Sequence, residues 1–314
     1  MQLDEVDNLL ARHGISQNLA ELIPLTGGAN NRVFRLKGDA PLVLKQYFTH
    51  PQDTRPRLKN EFSFLTYAWN CGIQNIPQPI AYDPETNTGI YTFVEGKPFT
   101  HSSSEAVDEA ISFLLALNHS KDQGKHLPLA SEACLTASDY FALVEKRLDK
   151  LIQLEDPDLN NFLTKELIPA WNHISQSTLH APLPFSSLCI TPSDFGFHNA
   201  IQGTDKVFFI DFEYAGWDDP VKTVCDFFSQ PKIPVSLDDL DHFVHRTASL
   251  VEDSAIFAER IRILLPVCRI KWCCMMLSGF FGIGKARRDF ARFETTKAQL
   301  KKTQTYLQES LCLI

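Results

Sequence analysis

Two carboxylates and one amide in the second half of the chain have the residue types needed to hold a metal ion and accept a proton. Asp194 and Asn199 lie on one polar loop, and Asp211 follows the apolar run 207–210. Carboxylate and amide oxygens are ligands that Mg²⁺ prefers. In phosphoryl transfer, one carboxylate orients and deprotonates the attacking hydroxyl, while an Asn and a second Asp hold metal ions. The joint spacing indicates that chemistry, although Asp194 alone would also suit a helix cap and Asp211 an exposed turn.

Residues in the first half of the chain supply the parts that would bind the phosphates. Lys45 lies on the strand-like run 42–45, and Glu61 lies sixteen residues later on a predicted helix, where it can pair with the Lys45 ammonium. The turn that begins with Gly27 and Gly28 lets backbone N–H groups approach phosphates closely. Taken singly, the lysine reads as a surface residue and the glycines as a hairpin turn. Their order along the chain favours a phosphate site.

The pattern of elements predicts two lobes that would bring these residues together. Residues 1–93 show a short helix over 3–12, strands separated by turns, a helix over 55–69 and two further strands, which indicate a small mixed lobe. The polar segment 95–98 contains Gly and Pro and marks a linker. Residues 94–314 show mainly helical periodicity, with strand-like runs at 188–190 and 207–210. We therefore predict an α+β fold with an antiparallel N-terminal sheet and a helical C-terminal lobe.

Composition narrows the class of protein. The chain has 314 residues, a net charge of −8 and a sequence pI near 5.7, so a general nucleic-acid or anionic-membrane binder is not expected. The eight cysteines form no CxxC pair, which favours buried free thiols over zinc ligands. The first residues lack the pattern of a signal peptide, and the apolar stretch 272–283 is shorter than a membrane span. A cytoplasmic enzyme is the expectation.

These residues together resemble the aminoglycoside phosphotransferase and choline kinase family of protein-kinase-like small-molecule phosphotransferases. The resemblance covers roughly residues 23–230. The stretch 26–36 looks like the family's Gly-Gly-x-x-Asn nucleotide loop, and the stretch 208–216 looks like its metal-binding strand end. The resemblance implies a two-lobed kinase-like fold, with 1–93 as the nucleotide-binding lobe and 94–314 as the catalytic and substrate-binding lobe.

The resemblance also implies a role for each matching residue. Asp194 would be the catalytic base, Asn199 and Asp211 would hold Mg²⁺, and Glu213 would touch a second Mg²⁺. ATP would be bound by residues of the glycine turn, the Lys45–Glu61 pair and the linker: Gly27, Gly28, Ala29, Asn30, Lys45, Glu61, Thr92, Phe93 and Val94. In the family, the stretch 216–220 and Asp226 mostly support the catalytic loop. ATP and Mg²⁺ are the implied cofactors.

One departure from the family pattern keeps a second hypothesis open. The family usually has His two residues before the catalytic Asp, where it braces the loop, and this chain has Pro192 there and Ser193 next to it. His198 cannot simply be assumed to replace it. Every residue with a direct chemical role is present, which favours an active kinase. The alternative is a nucleotide-binding pseudoenzyme or regulatory module.

The acceptor is predicted to be a small hydroxyl compound. Protein kinases carry a long segment after the metal-binding Asp that ends in Ala-Pro-Glu, whereas here residues 218–220 already predict the start of a helix. Acidic and aromatic residues near that point could offer a site for a cationic amine, although metal binding, helix capping and core packing explain them better: Glu213, Tyr214, Trp217, Asp218 and Asp219. Amino alcohols, aminoglycosides and sugars are the candidates.

Overall fold

A computed structural model of the protein describes residues 3–25, 31–178, 188–281 and 296–311. The helices of these residues are α1 (Leu3–Arg12), α2 (Arg57–Asn70), α3 (Ser104–His119), α4 (Ala137–Ile152), α5 (Pro157–Phe162), α6 (Ile168–Thr178), α7 (Pro220–Phe227), α8 (Leu240–Thr247), α9 (Ser254–Met276) and α10 (Thr296–Leu311). The strands are β1 (Glu21–Leu25), β2 (Arg32–Lys37), β3 (Leu42–Gln46), β4 (Pro79–Asp83), β5 (Thr88–Thr92), β6 (Lys97–Pro98), β7 (Cys189–Thr191), β8 (Ala200–Gln202), β9 (Val207–Phe209) and β10 (Gly216–Asp218).

The N-terminal strands form one five-stranded sheet in the order β1-β2-β3-β5-β4, and every neighbouring pair is antiparallel. Side chains alternate between the two faces of a strand. On β3, Leu42 and Leu44 therefore point to one face, where they join the buried side chains Val6, Leu9 and Leu10 of α1. Lys45 points to the opposite face. The predicted mixed lobe with an antiparallel sheet is confirmed.

Helix α2 packs on the face of the sheet that carries Lys45, and its apolar side continues into the second lobe. Phe64, Leu65 and Ala68 belong to the large core cluster of the helical lobe. The Phe64 ring also stacks on Phe212 at a centroid distance of 4.8 Å. The hydrophobic core therefore crosses the lobe boundary that the sequence predicts at residue 93, because α2 supplies apolar surface to both sides.

Residues 92–98 run from the N-terminal sheet to the short strand pairs of the second lobe. Thr92 ends β5, and the next strand, Lys97–Pro98, pairs with Ala200–Gln202 of β8. Strands β8 and β9 form an antiparallel hairpin, and β7 pairs with β10. These short pairs support the loops that carry the candidate catalytic residues. The remainder of the described second lobe is helical, as predicted.

Helix α9 is the central helix of the second lobe. Among the described residues, one helical stretch, Ser254–Phe280, is long and apolar enough to cross a membrane, and 61% of its most apolar window is buried in the protein. Helices α4, α6, α7 and α10 pack around it. The apolar stretch 272–283, which the sequence predicts as a buried core helix, is α-helical up to Met276 and continues as a 3₁₀ turn over Leu277–Phe280; residues 282 and 283 lie outside the described residues. Six cysteines are buried free thiols, Cys71 is half-buried, and Cys312 lies outside the described residues.

A buried ion pair joins α9 to the start of α7. Asp219 caps α7 by accepting a hydrogen bond from the Val221 N–H at 3.0 Å, and it accepts another from the Tyr140 hydroxyl at 2.9 Å. Arg260 of α9 forms an ion pair with the same carboxylate, and both side chains are 1% exposed. The predicted helix start at residues 218–220 is confirmed.

Loss of this arginine is expected to unfold the protein at lower denaturant concentration. Arg260→Met should lower the free energy of unfolding by about 3–5 kcal/mol, because Asp219 would keep a buried charge without its partner. The measurement is urea unfolding followed by circular dichroism. Arg262→Met on the exposed side of the same helix is the control and should change the free energy of unfolding by less than about 0.5 kcal/mol. Equal effects of the two variants would contradict the role given to the buried pair.

Candidate active site

Lys45 and Glu61 form the ion pair that their spacing predicted. The Lys45 ammonium lies 2.6 Å from Glu61 Oε2 and 2.5 Å from Asp211 Oδ1. Glu61 is fully satisfied, since Oε2 also accepts the Tyr47 hydroxyl at 2.7 Å and Oε1 accepts the Phe212 N–H at 3.2 Å. Burial alone would lower the pKa of Lys45, but the negative charges of Asp211 and Glu61 raise it well above its ordinary value. Lys45 is therefore a fixed cation that links the two lobes.

The β8–β9 hairpin brings Asn199 and Asp211 to the same end of the second lobe. Ala200 pairs with Phe209, so the residues just outside this pair lie side by side. The Ile210 N–H donates to the Asn199 carbonyl at 2.9 Å. The Asn199 side-chain N–H donates to the backbone carbonyl of Asp194 at 3.0 Å, which leaves the amide oxygen of Asn199 as its metal-ligating atom. Asp194, Asn199 and Asp211 are thus brought together, although twelve residues or more separate Asp211 from the others.

Two residues at this site have left-handed backbone conformations that non-glycine residues seldom adopt. Ser193 has φ of 68° and Asp211 has φ of 67°. Each such residue costs on the order of 1–3 kcal/mol and persists only where its surroundings hold it. Ser193 is held by a hydrogen bond from its N–H to Thr191 Oγ1 at 3.1 Å. The left-handed backbone explains why glycine would suit position 193.

Asp194 is ionised and partly exposed at the end of its loop. Its side chain is 28% exposed, and Oδ1 lies 3.2 Å from Nε2 of His198. Burial raises the pKa of Asp194, but electrostatic attraction from the His198 ring and hydrogen bonds from His198 and Asn199 outweigh it and hold this pKa below its ordinary value. At neutral pH the group is a carboxylate that can accept a proton.

Glu213 lies deeper in the protein than the other candidate metal ligands. Its side chain is 1% exposed, and Oε2 accepts a hydrogen bond from the Asn31 side chain at 2.6 Å. The Arg57 guanidinium lies 3.6 Å from Oε1. Asn31 also accepts the Phe48 N–H at 3.2 Å, so it ties β2 and the end of β3 to the second lobe.

Asn31 and Arg57 were not among the predicted site residues. Asn31 was detectable, because it occupies the fifth position of the Gly-Gly-x-x-Asn stretch that begins at Gly27. Arg57 gave no signal in the sequence, since it begins a helix among other polar residues. Its ion pair with Asp53 at 2.5 Å is local, whereas its contact with Glu213 depends on how the two lobes meet.

Loss of Asn31 is expected to weaken nucleotide binding more than catalysis. Asn31→Ala would release the backbone that enters β2 and remove a hydrogen bond to a buried carboxylate, a loss of about 1.5–3 kcal/mol. We expect the Kd for ATP, measured by isothermal titration calorimetry, to rise roughly tenfold or more, since 1.4 kcal/mol is tenfold in affinity. Asn18→Ala is the control, because Asn18 is bound to Asp39 at the exposed edge of the same sheet. An unchanged Kd in Asn31→Ala would contradict this coupling.

The carboxylates of this site can surround a cation. Oxygen atoms of Glu61, Asp211 and Glu213 all lie within 4.8 Å of one another. Asp194 and the amide oxygen of Asn199 lie on the adjoining loop. Hard oxygen donors of this kind fit Mg²⁺, and the acidic excess over Lys45 and Arg57 favours binding of a further cation. The donor chemistry therefore fits the predicted metal, with Asp211 and Asn199 as the residues on the exposed side.

Comparison with known proteins agrees with this arrangement. The family model described as the phosphotransferase enzyme family matches residues 21–229. The chain belongs to this family. A search of curated protein sequences gave no significant match.

Solved structures of small-molecule kinases are similar to this phosphotransferase over nearly its whole length. Choline kinase from Cryptosporidium parvum has a TM-score of 0.63 at 14% identity, with 99% of this chain and 96% of that chain covered. Choline kinase LicA from Streptococcus pneumoniae has a TM-score of 0.63 at 12% identity, with 98% of each chain covered. The ADP-bound aminoglycoside phosphotransferase APH(2'')-Ib has a TM-score of 0.61 at 17% identity, with 98% and 97% covered. The kinase-like fold is thereby shown.

The acidic residues after Asp211 support the loops of the phosphotransferase. Asp218 forms an ion pair with Lys222 at 3.0 Å, and Lys222 lies 3.1 Å from Asp226. Lys271 and the Trp272 indole also donate to Asp226. Asp218 and Asp219 are buried and paired with cations, so their charge is not available to an amine substrate. The sequence-based argument for an amine acceptor therefore loses these two residues.

The linker carries the residues that the resemblance places against adenine. The Thr92 N–H donates to the Gln78 carbonyl, and the Phe93 N–H donates to the Pro41 carbonyl, both at 3.0 Å. These two hydrogen bonds hold the linker, and contact of Thr92, Phe93 and Val94 with adenine stays a prediction. The other predicted nucleotide residues, Gly27, Gly28, Ala29 and Asn30, lie outside the described residues.

Proposed function

We propose that the protein is an ATP-dependent, Mg²⁺-requiring kinase that transfers the γ-phosphoryl group to a hydroxyl of a small molecule. The observation that carries the proposal is the convergence of one fixed cation and three candidate catalytic oxygens at the lobe junction. Lys45 contacts Asp211 at 2.5 Å, and the hairpin that ends at Asp211 also positions Asn199 and, through it, Asp194. A kinase places its Lys, Glu, Asp and Asn in this order around ATP.

Each side chain has a distinct task in the proposed reaction. Asp194 orients the acceptor hydroxyl and takes its proton as the oxygen attacks the γ-phosphorus. Lys45, held by Glu61, places its ammonium against the α- and β-phosphates. Asp211 and Asn199 would hold Mg²⁺, which when bound neutralises charge on the phosphate oxygens. Fixed charges of this kind stabilise the transition state because they need little reorganisation as charge develops.

Glu213 is proposed as an indirect contributor to the metal site. Its carboxylate is within 4.8 Å of Asp211, yet its strong contacts are with Asn31 and Arg57. It therefore links the nucleotide-binding lobe to the metal loop. A carboxylate has about four lone-pair sites, so Glu213 keeps the capacity to contact a second Mg²⁺ while it holds Asn31.

The acceptor is proposed to be an amino alcohol, an aminoglycoside or a sugar. Structural neighbours named as choline kinases and aminoglycoside phosphotransferases support the first two classes. Tyr214 is partly exposed, but the guanidinium groups of Arg55 and Arg57 lie 5.1 and 5.7 Å from its ring, which does not favour a cation there. Neutral sugars therefore stay among the candidates. The proposed location is the cytoplasm.

ADP release with Mg-ATP tests the function against a panel of amino alcohols, aminoglycosides, nucleosides and sugars. Acceptor-dependent release that disappears in Asp194→Asn would establish a kinase and name its substrate class. In parallel, Mg-ATP at a hundredfold excess over Kd should stabilise the protein by about 2.7 kcal/mol, visible as a higher Tm.

The two measurements separate the alternatives. A raised Tm without phosphate transfer to any acceptor would favour the pseudoenzyme hypothesis suggested by Pro192. No rise in Tm would reject nucleotide binding and with it the proposed function.

A further inference from the structure

His198 contacts the candidate base from a position that the family pattern does not use. A single turn of helix over Phe197–Asn199 carries its ring back towards the loop, and Nε2 lies 3.2 Å from Oδ1 of Asp194. The usual brace position is occupied by Pro192, whose side chain has no hydrogen-bonding group. The Pro192 carbonyl accepts the Asp194 N–H at 3.0 Å, and so fixes the backbone and not the carboxylate.

The surroundings of the ring determine which of its nitrogen atoms carries the proton. Nδ1 is buried and has no hydrogen-bond partner among the described residues. A buried N–H without an acceptor is rarer and more costly than a bare lone pair. The ring therefore carries its hydrogen on Nε2, which donates it to Oδ1 of Asp194. That bond engages one carboxylate oxygen and leaves Oδ2 to receive the proton of a hydroxyl.

Gly196 provides the space that the ring needs. A Cβ atom at position 196 would lie 2.9 Å from Nδ1 of His198 and 2.9 Å from Cγ of Gln230. Gln230 cannot move aside easily, because its side chain is buried and accepts the backbone N–H groups of Lys232 and Ile233. Any side chain at position 196 would therefore push the ring of His198 away from Asp194.

We propose that His198 is a positioning residue that replaces the missing brace by holding Oδ1 of Asp194. In the family pattern the bracing group lies two residues before the base. In this chain it lies four residues after the base, and Gly196 leaves room for its ring. The proposal rests on the proposed kinase function for its kinetic consequence. The hydrogen bond itself can be observed without turnover.

Two substitutions of His198 separate positioning from a general loss of structure. In His198→Gln, the amide nitrogen is as many bonds from Cα as Nε2 and can still reach Asp194. In His198→Asn, the amide nitrogen is only as far from Cα as Nδ1 and cannot. We expect kcat to fall roughly tenfold to hundredfold in His198→Asn and much less in His198→Gln, because small misplacements of a reacting group carry costs of up to that size.

The KM for ATP should stay unchanged in both variants. Asn199 follows His198 directly, so a collapsed loop would also disturb the proposed metal site and raise the KM for ATP. Equal kcat losses in the Gln and Asn variants, or a rise in the KM for ATP together with the loss of kcat, would overturn the positioning role.

A double-mutant cycle tests whether Gly196 acts through the ring. Gly196→Ala should lower kcat to about the level of His198→Asn. The double variant should then be no slower than either single variant, because both changes remove the same contact. Additive losses would show that Gly196 acts separately and would contradict the proposed arrangement.

An NMR measurement keeps the proposal testable even if no acceptor is found. A long-range ¹H–¹⁵N spectrum of histidine-labelled protein, assigned with His198→Gln, should show His198 protonated on Nε2, with a nitrogen shift that changes in Asp194→Asn. A ring protonated on Nδ1 alone would overturn the proposal whatever the enzyme assays show. Absence of turnover with the expected spectrum would instead contradict only the proposed function.

Discussion

Asp194→Asn should lower kcat by roughly 10²–10⁴-fold, which is the usual contribution of a positioned general base. Asparagine keeps the shape of the side chain but cannot take the hydroxyl proton. The Kd for ATP should be unchanged, because the proposed phosphate contacts come from Lys45, which pairs with Glu61 and Asp211 and not with Asp194. The measurements are kcat with the best acceptor and calorimetric titration with Mg-ATP.

Asp241→Asn is the matched control for this variant. Asp241 is an exposed carboxylate on α8, so the same chemical change is made away from the site. Its kcat should equal that of the unmodified protein. Retained catalysis in Asp194→Asn, or lost ATP affinity with chemistry intact, would show that Asp194 is not the base.

Asp211→Asn should lower kcat at a fixed Mg²⁺ concentration by about 10³-fold, because metal stabilisation of phosphate charge is worth several kcal/mol. The change removes one negative charge from the proposed metal site. It also weakens the ion pairing of Lys45, which would keep Glu61 but lose the charge of Asp211. Raising the Mg²⁺ concentration should restore part of the rate. The measurement is kcat as a function of Mg²⁺ concentration.

Binding of Mn²⁺ followed by electron paramagnetic resonance gives a second reading on Asp211 that does not require turnover. The number of tightly bound ions in the presence of ATP should fall in Asp211→Asn and stay the same in Asp241→Asn, which alters an exposed carboxylate on α8. An unchanged Mg²⁺ dependence together with unchanged Mn²⁺ binding would remove Asp211 from the metal site.

Local sequence signals predicted the elements well, because each depends on nearby residues. The strand-like run 42–45 placed Lys45 on a strand, and the helical spacing of α2 placed Glu61 where it meets Lys45. Asp219 followed by Pro220 begins α7 as the capping preference suggests. Short-range signals could not predict that the core extends through Phe64, because this packing depends on Phe212 from the other lobe.

Contacts between distant residues decided the roles that the sequence left open. The sequence favoured a structural role for Asp218 and Asp219 and left an amine site as the alternative, and their pairing with Lys222 and Arg260 decided for the structural role. Arg57 became a neighbour of Glu213 only because the lobes meet there. A buried charge needs a partner, and the partner lies far away in the chain.

The sequence by itself determined the order of the chemical groups, the antiparallel and helical lobes and the family. These follow from residue types and short spacings, which reflect the geometry of single strands, helices and turns. Only the tertiary structure showed that Glu213 is held by Asn31 and that His198 contacts Asp194, with Gly196 leaving room beside its ring. The direction of a side chain on a loop is set by packing from several segments at once, and no local pattern encodes it.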